Sequence, residues 1–363
     1  MKTIRDAVHA NIDLSGAEVA VLDTPPMQRL RYVKQLALAH LVYPSAVHSR
    51  FEHSLGTLHL TGIAASRLFG KDAAALLRLA GLLHDVGHGA FSHLSEPLLV
   101  EKTGKNHEQL GRELIAKSEI SDALDAGGFS AHALISEMSG PRESLVSSAF
   151  GTDRIDYLLR DAHFTGASYS LVDAERLLSS FAFESGALVL QEKGLLAAES
   201  LLVSRYLMFR AIYNHHANRI ASKMMENALR TALESGKIAI GDIAGGNDYA
   251  LLFSLKDEPL VARILSRRLF KTAFSAGEGA SAQSIEAELL AEYSLEDFVV
   301  CGDLGSLASP DVALRRKDGS KSTLLTDSFL SREVDRQMKA QGVLVACGEK
   351  DAKKVGAFCA RLA

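Results

Sequence analysis

Residues 74–83 read AALLRLAGLL, and the next two residues are His84 and Asp85. A run so nearly apolar belongs in a protein core, and it predicts a helix over 72–83. Ionisable groups at the end of such a helix need partners, because burying an uncompensated charge is costly. A divalent cation is one such partner, since imidazole and carboxylate together suit several first-row metals. A plain His-Asp hydrogen bond is the other. Neighbouring residues on a regular helix diverge by about 100°, so both side chains reach one ion only near a helix end or distortion. Gly87 and Gly89 supply a plausible end.

Two further segments bear on the choice. His53 lies in HSRFEHSLG (48–56), on a separate predicted helix upstream, and Asp153 opens DRIDYLLRD (153–161) on a third downstream. With His84 and Asp85 they make two imidazoles and two carboxylates from three helices. Helical bundles build metal sites in this way, from side chains projecting off facing helices. Eleven of the thirteen histidines fall at or before His163, so the first half of the chain is the chemical half.

The remaining sequence predicts a strand or hairpin over 3–14 and helices over 22–39, 51–68, 107–116, 145–159, 174–179 and 194–234, with short helical turns at 121–124 and 131–137. A small hairpin is expected over 181–190 about Gly186, a glycine-rich linker at 241–247, a helix over 250–269, strands at 312–316 and 343–347, and a closing helix over 351–361. The reading is mainly α: a helical domain over 1–240, then a smaller α+β region over 241–363. With 363 residues there is ample length for a core. The net charge of −4 provides no global basic field for nucleic acid. Cys301, Cys347 and Cys359 form neither a disulfide framework nor a zinc-ligand spacing, which fits a reducing cytoplasm. No signal peptide or membrane span is expected.

The series His53, His84-Asp85, Asp153 resembles the H…HD…D signature of the HD-domain phosphohydrolases. Within that superfamily the chain is most similar to the deoxynucleoside triphosphate triphosphohydrolase branch, through IRDAVH (4–9), QRLR (28–31), RFEHSLG (50–56), residues 83–93 and residues 153–161. The resemblance runs from about residue 3 to about residue 230 and weakens beyond, to matches such as RRLFK (267–271). It implies an HD-domain helical bundle in which His53, His84, Asp85 and Asp153 hold one divalent ion per site, drawn from Mn, Fe, Co, Ni, Zn and Mg.

The resemblance also assigns roles around the ion. The positions matching His88, His93 and His107 line the phosphate site. We take His93 as the acid that protonates the leaving oxygen, with His107 as its partner or a phosphate contact and His88 as the other candidate. Arg50, Arg154 and Arg205 match phosphate-binding positions, and Arg154 replaces a lysine of the animal enzyme. Tyr157 matches a residue touching the phosphate tail, Gln35 and Asp161 residues holding the sugar 3′-hydroxyl, and Tyr213 a residue packed under the sugar. After Gln35 the animal enzyme has a glycine run where this chain reads LALAH (36–40).

The expected activity is metal-dependent hydrolysis of a dNTP at the α-phosphorus, giving a deoxynucleoside and triphosphate. The alternatives are an HD-type phosphohydrolase acting on nucleoside mono- or diphosphates or another phosphorylated metabolite, and a non-catalytic nucleotide sensor. The expected partner is the nucleotide, with neither nucleic acid nor membrane, and the resemblance implies a homo-oligomer.

Overall fold

Two helices, Arg50–Phe69 and Lys71–Leu83, form the frame on which the rest is hung. They are joined through Gly70, whose φ of +82° suits glycine, and they make the most extensive helix-helix contact of the fold. The first begins where the Glu52 carboxylate accepts hydrogen bonds from the Ser49 N–H and hydroxyl, a capping arrangement written into the sequence as Ser followed three residues later by Glu. The Thr152–Thr165 helix packs across it. Gly56 makes that approach possible: a Cβ there would lie 1.8 Å from Asp156 Oδ1 and 2.5 Å from the Arg160 guanidinium.

The computed structural model describes residues 2–170, 172–277, 280–302, 311–338 and 342–362. It is mainly helical, with three small sheets. The N-terminal hairpin pairs Lys2–Asp6 with Ala10–Leu14. A four-stranded sheet joins the hairpin Phe181–Glu184/Ala187–Gln191 to Ala313–Arg315 and Lys321–Thr323. In the third sheet Val343–Cys347, buried at every residue, lies between Lys271–Ala276 and Phe298–Gly302. No described helix is long and apolar enough to cross a membrane.

Several expected elements are subdivided. The helix expected over 22–39 is instead Gly16–Leu22, then Pro25–Arg29 and a 3-10 turn at Leu30–Tyr32. Pro25 and Pro26 have no N–H to continue the first helix. Beyond Tyr32 the backbone takes tertiary partners: Lys34 N–H bonds to Asp248, Gln35 N–H to the His48 carbonyl, and the Val33 carbonyl accepts from Arg50. Extended backbone at Ser148 and Gly151 divides 145–159 into Ser144–Ser147 and Thr152–Thr165. The run at 194–234 comprises Leu195–Met208, a π-helical turn Phe209–Tyr213, and His216–Glu234.

The glycine-rich stretch 241–247 is not a free linker. It contains most of the helix Ile240–Ala244, Ile243 is fully buried, and the Ile243 carbonyl accepts from Ala90 N–H. The helix expected over 250–269 is two, Asp248–Ser254 and Pro259–Leu265, the second restarted by a proline at its first position. Apolar side chains from both sides of residue 240, among them Phe91, Leu98, Ile243, Val299 and Leu344, meet in one cluster. The strands at 271–276 and 298–302 lack the strict alternation that marks a half-buried strand and were not foreseen.

Because Gly56 has no room for a methyl group, Gly56→Ala should lower unfolding stability in urea by about 3 kcal/mol, the upper range for overpacking a close contact. A loss under about 1 kcal/mol would mean that the two helices separate easily.

Candidate metal centre and phosphate-facing cavity

His53 projects from the Arg50–Phe69 helix, His84 caps the end of Lys71–Leu83, Asp85 follows it, and Asp153 sits in the first turn of Thr152–Thr165. The four converge. His53 Nε2 lies 3.0 Å from Asp153 Oδ1 and 3.6 Å from Asp85 Oδ2, and His84 Nε2 lies 3.3 Å from Asp85 Oδ1 and 3.7 Å from Asp153 Oδ1. Placing His84 at the helix end removes the 100° divergence that a continuing helix would impose on an adjacent pair.

The remaining ring nitrogens are anchored outward. His53 Nδ1–H donates to Asp156 Oδ2 at 2.7 Å, and His84 Nδ1–H donates to the Gly81 carbonyl at 2.8 Å. When each ring carries a single proton, its Nε2 lone pair therefore faces inward, and both Nε2 atoms are buried. Outer carboxylates and carbonyls orient metal-binding imidazoles in this way. The donor set, two Nε2 atoms and two carboxylates, fits a divalent cation.

Asp156, Arg160, Asp6 and His9 were not singled out from sequence, although the first two lie in the same DRIDYLLRD segment, three and seven residues after Asp153. Asp156 Oδ1 is 2.6 Å from His9 Nε2 and 3.0 Å from one Arg160 terminal nitrogen, and Arg160 Nε donates to Oδ2 at 2.9 Å. The same guanidinium reaches Asp6 at 2.9 and 3.2 Å. Burial alone would raise the Asp156 pKa, but Arg160 and His53 hold it well below the usual carboxylate range. Burial opposes a charged His53, yet Asp153, Asp156 and Asp85 outweigh it and lift its pKa to about 10. A proton and a metal ion compete for this one negative field.

Beside the four lies a cavity of about 250 Å³ lined by His84, Asp85, Asp153, Gln35, Arg50, His88, His93, His107 and Tyr157, with Glu108, Arg112 and Glu143 also facing it. Arg50, 2% exposed, bonds to Asp85 through one terminal nitrogen and to Ser92 Oγ through Nε at 2.7 Å. The His88 ring stacks on His107 with centroids 3.9 Å apart, and His93 meets both edge-on. Glu96, also not singled out, bonds to Nδ1 of His107 and, at 3.2 Å, to Nδ1 of the exposed His93. Burial and the nearby Arg50 depress the His88 pKa strongly, which favours its neutral ring. Among the described residues these three histidines also have the spacing of a cation site.

The other expected substrate residues are grouped behind Tyr157 rather than in the cavity wall. Arg205 hydrogen-bonds Tyr157 and lies close to Arg154, and burial followed by that arginine lowers its pKa. Asp161 is committed on both oxygens, to His48 Nε2 at 2.8 Å and to the Tyr213 hydroxyl at 2.6 Å. The π-helical turn ends at Tyr213, where such bulges often adjust a functional side chain. A larger hollow of about 610 Å³, behind Gly87 and Arg29, contains none of the expected site residues.

The HD-domain model matches residues 50–161, and a model of an HD-associated region matches residues 172–297. The crystal structure of a hypothetical protein from Aquifex aeolicus superposes with a TM-score of 0.83 at 30% identity, covering 99% of each chain. An uncharacterized protein from Methanocaldococcus jannaschii is 38% identical over 75% of this chain and 59% of its own length. The deoxynucleoside triphosphate triphosphohydrolase SAMHD1 of Bos taurus is 26% identical, over 99% of this chain and 77% of that protein. The chain spans between 51% and 59% of the length of the three prokaryotic relatives matched first. The chain belongs to the HD-domain family, with an HD domain followed by an HD-associated region.

Removing the Asp156 carboxylate should loosen His53 without deleting any of the four inner groups. Asp156→Asn is expected to weaken Mn²⁺ binding by roughly 10- to 100-fold in calorimetric titration; unchanged affinity would detach this carboxylate from the centre. A second expectation concerns acid. Burial raises the Asp6 pKa, but Arg160 and two backbone N–H groups bring it below its ordinary 3.8. A depressed carboxylate contributes stability that is present above its unfolded pKa and is lost as pH falls through the folded value. Urea unfolding followed from about pH 5 to pH 2 should therefore show a shallower acid loss for Asp6→Asn than for the wild type.

Proposed function

We propose that this protein is a metal-dependent dNTP triphosphohydrolase, releasing a deoxynucleoside and inorganic triphosphate by attack of water on the α-phosphorus. One observation carries the reading. The convergent His53, His84, Asp85 and Asp153 adjoin a cavity whose wall holds two guanidiniums, of Arg50 and Arg112, and three further imidazoles. The named activity of SAMHD1, 26% identical across 99% of the chain, supports this substrate class.

A divalent ion bound by the four residues would polarise a phosphoryl oxygen and lower the pKa of a water. The chain's own residues supply the rest. Arg50, with a buried terminal nitrogen that has no hydrogen-bond partner, offers a donor to a phosphoryl oxygen. His88, kept neutral, lies against the Asp85 carboxylate at 3.3 Å and can donate without adding charge. His93, exposed at the rim with Nδ1 held by Glu96, turns Nε2 away from that carboxylate and is the residue placed to protonate the departing 5′-oxygen. His107 shares that carboxylate and buttresses His88. Arg154 and Arg205 would meet the distal phosphates, with Tyr157 between them and the centre. The expected homo-oligomer and cytoplasmic setting belong to the same reading.

A second reading has a specific observation behind it. Asp161 already accepts from His48 and Tyr213, so a sugar hydroxyl would have to share a carboxylate oxygen with one of them. That favours a phosphohydrolase acting on a different phosphorylated metabolite, with the same metal centre. Chromatography of products after incubation with dGTP and Mn²⁺ separates the two: tripolyphosphate supports the first, stepwise orthophosphate the second. His93→Ala should lower turnover about 100-fold with metal content retained. Wild-type turnover in that variant would remove His93 from the reaction.

A further inference from the structure

We propose that Asp248, from the HD-associated region, is a positioning residue that sets the orientation of Arg50 in the cavity wall. The inference deepens the reading above and rests on it only in treating Arg50 as a phosphate donor.

Asp248 is 1% exposed and does not itself line the cavity. Its Oδ1 accepts from Phe91 N–H at 2.7 Å and its Oδ2 from Lys34 N–H at 3.0 Å. One carboxylate thus ties together two backbone segments far apart in sequence. Ser92 bridges the same segments: its hydroxyl donates to the Lys34 carbonyl at 2.9 Å and accepts from Arg50 Nε at 2.7 Å. Arg50 is held on one edge by Ser92 and on another by Asp85, and its second terminal nitrogen is buried and unpaired. That is the geometry of a donor kept ready for an acceptor in the cavity.

The turn that Asp248 grips is conformationally costly. Phe91 and Ser92 have φ of +61° and +55°, left-handed values that non-glycine residues adopt only where the surroundings hold them. The Ile243 carbonyl accepts from Ala90 N–H, and Arg29 donates to the Val86, His88 and Gly246 carbonyls. Residues 243–248 are therefore fastened onto the turn that carries His88 and leads to His93. Of these fastenings, Asp248 alone spans both segments that flank the Ser92 hydroxyl.

The test reads Arg50 directly, in the full chain without substrate. Hydrogen exchange of the Arg50 Nε–H, followed by NMR, should be slow in the wild type and about tenfold faster or more in Asp248→Ala and in Ser92→Ala. The double variant should exchange no faster than the faster single, since both act through one linkage. Asn227→Ala serves as a stability control: it removes bonds to the Leu295 and Phe298 carbonyls, outside this linkage. Exchange in Asp248→Ala within twofold of the wild type, additive acceleration in the double variant, or equal acceleration in Asn227→Ala would overturn the proposal. Should Asp248→Ala not fold, Asp248→Asn, which retains one acceptor, is judged by the same three criteria. With dGTP, the variants should lose kcat/KM mainly through KM, while a wild type inert toward dGTP would sink the substrate reading and leave the exchange result standing.

Discussion

The Asp156 carboxylate, fully buried, is the interaction on which the site depends. It meets His9 and His53 on one side and Arg160 on the other. In water these attractions would be weak; inside the fold, breaking such a pair by removing one partner typically costs 3–5 kcal/mol, because the other charge is stranded. That cost fixes the spacing of two helices, and the spacing leaves no volume for a side chain at position 56. The hairpin at the N-terminus joins the same network through Asp6 and His9. A distant strand thus helps orient the imidazole that faces the metal centre.

The turn after Leu83 solves a different problem. Adjacent His and Asp side chains must point at one place, so the helix has to stop there, and the residues after it must be held without helical hydrogen bonds. Gly87 lies so close to the helix His107–Lys117 that a Cβ would fall 2.1 Å from the His107 carbonyl oxygen. That contact places His107 beside His88, and Glu96 then ties His107 to His93. Three histidines spread over twenty residues become one cluster through backbone fit and a shared carboxylate.

Much of this was legible in the chain. The H…HD…D spacing, the hairpin before residue 15 and the strand at 343–347 are local patterns, and the inner four residues are where the pattern places them. What escaped reading was non-local. Asp248 looks like an ordinary acidic N-terminal helix residue until Phe91 and Lys34 are seen bonded to it. The stretch 22–39 has helical spacing, but its backbone donors are claimed by partners more than ten or two hundred residues away. Asp161 matched a sugar-binding position, and no local pattern announces that His48 and Tyr213 occupy its oxygens. Resemblance transfers residue identity more readily than it transfers a side chain's existing commitments.

The charge balance links these pieces. Asp6, Asp85, Asp153 and Asp156 face Arg50 and Arg160 around a largely buried centre, so two negative charges are left for imidazoles or a cation to neutralise. The raised His53 pKa is the protein's answer when only protons are available. A divalent ion balances the centre without protonating the inward nitrogens, and the inward-facing Nε2 atoms of His53 and His84 suit that outcome better. The cavity beside the centre has the opposite character, with the unpaired Arg50 nitrogen and the three outer histidines in its wall. Asp85 joins the inner ring to the cavity wall through its contacts with His84 and Arg50.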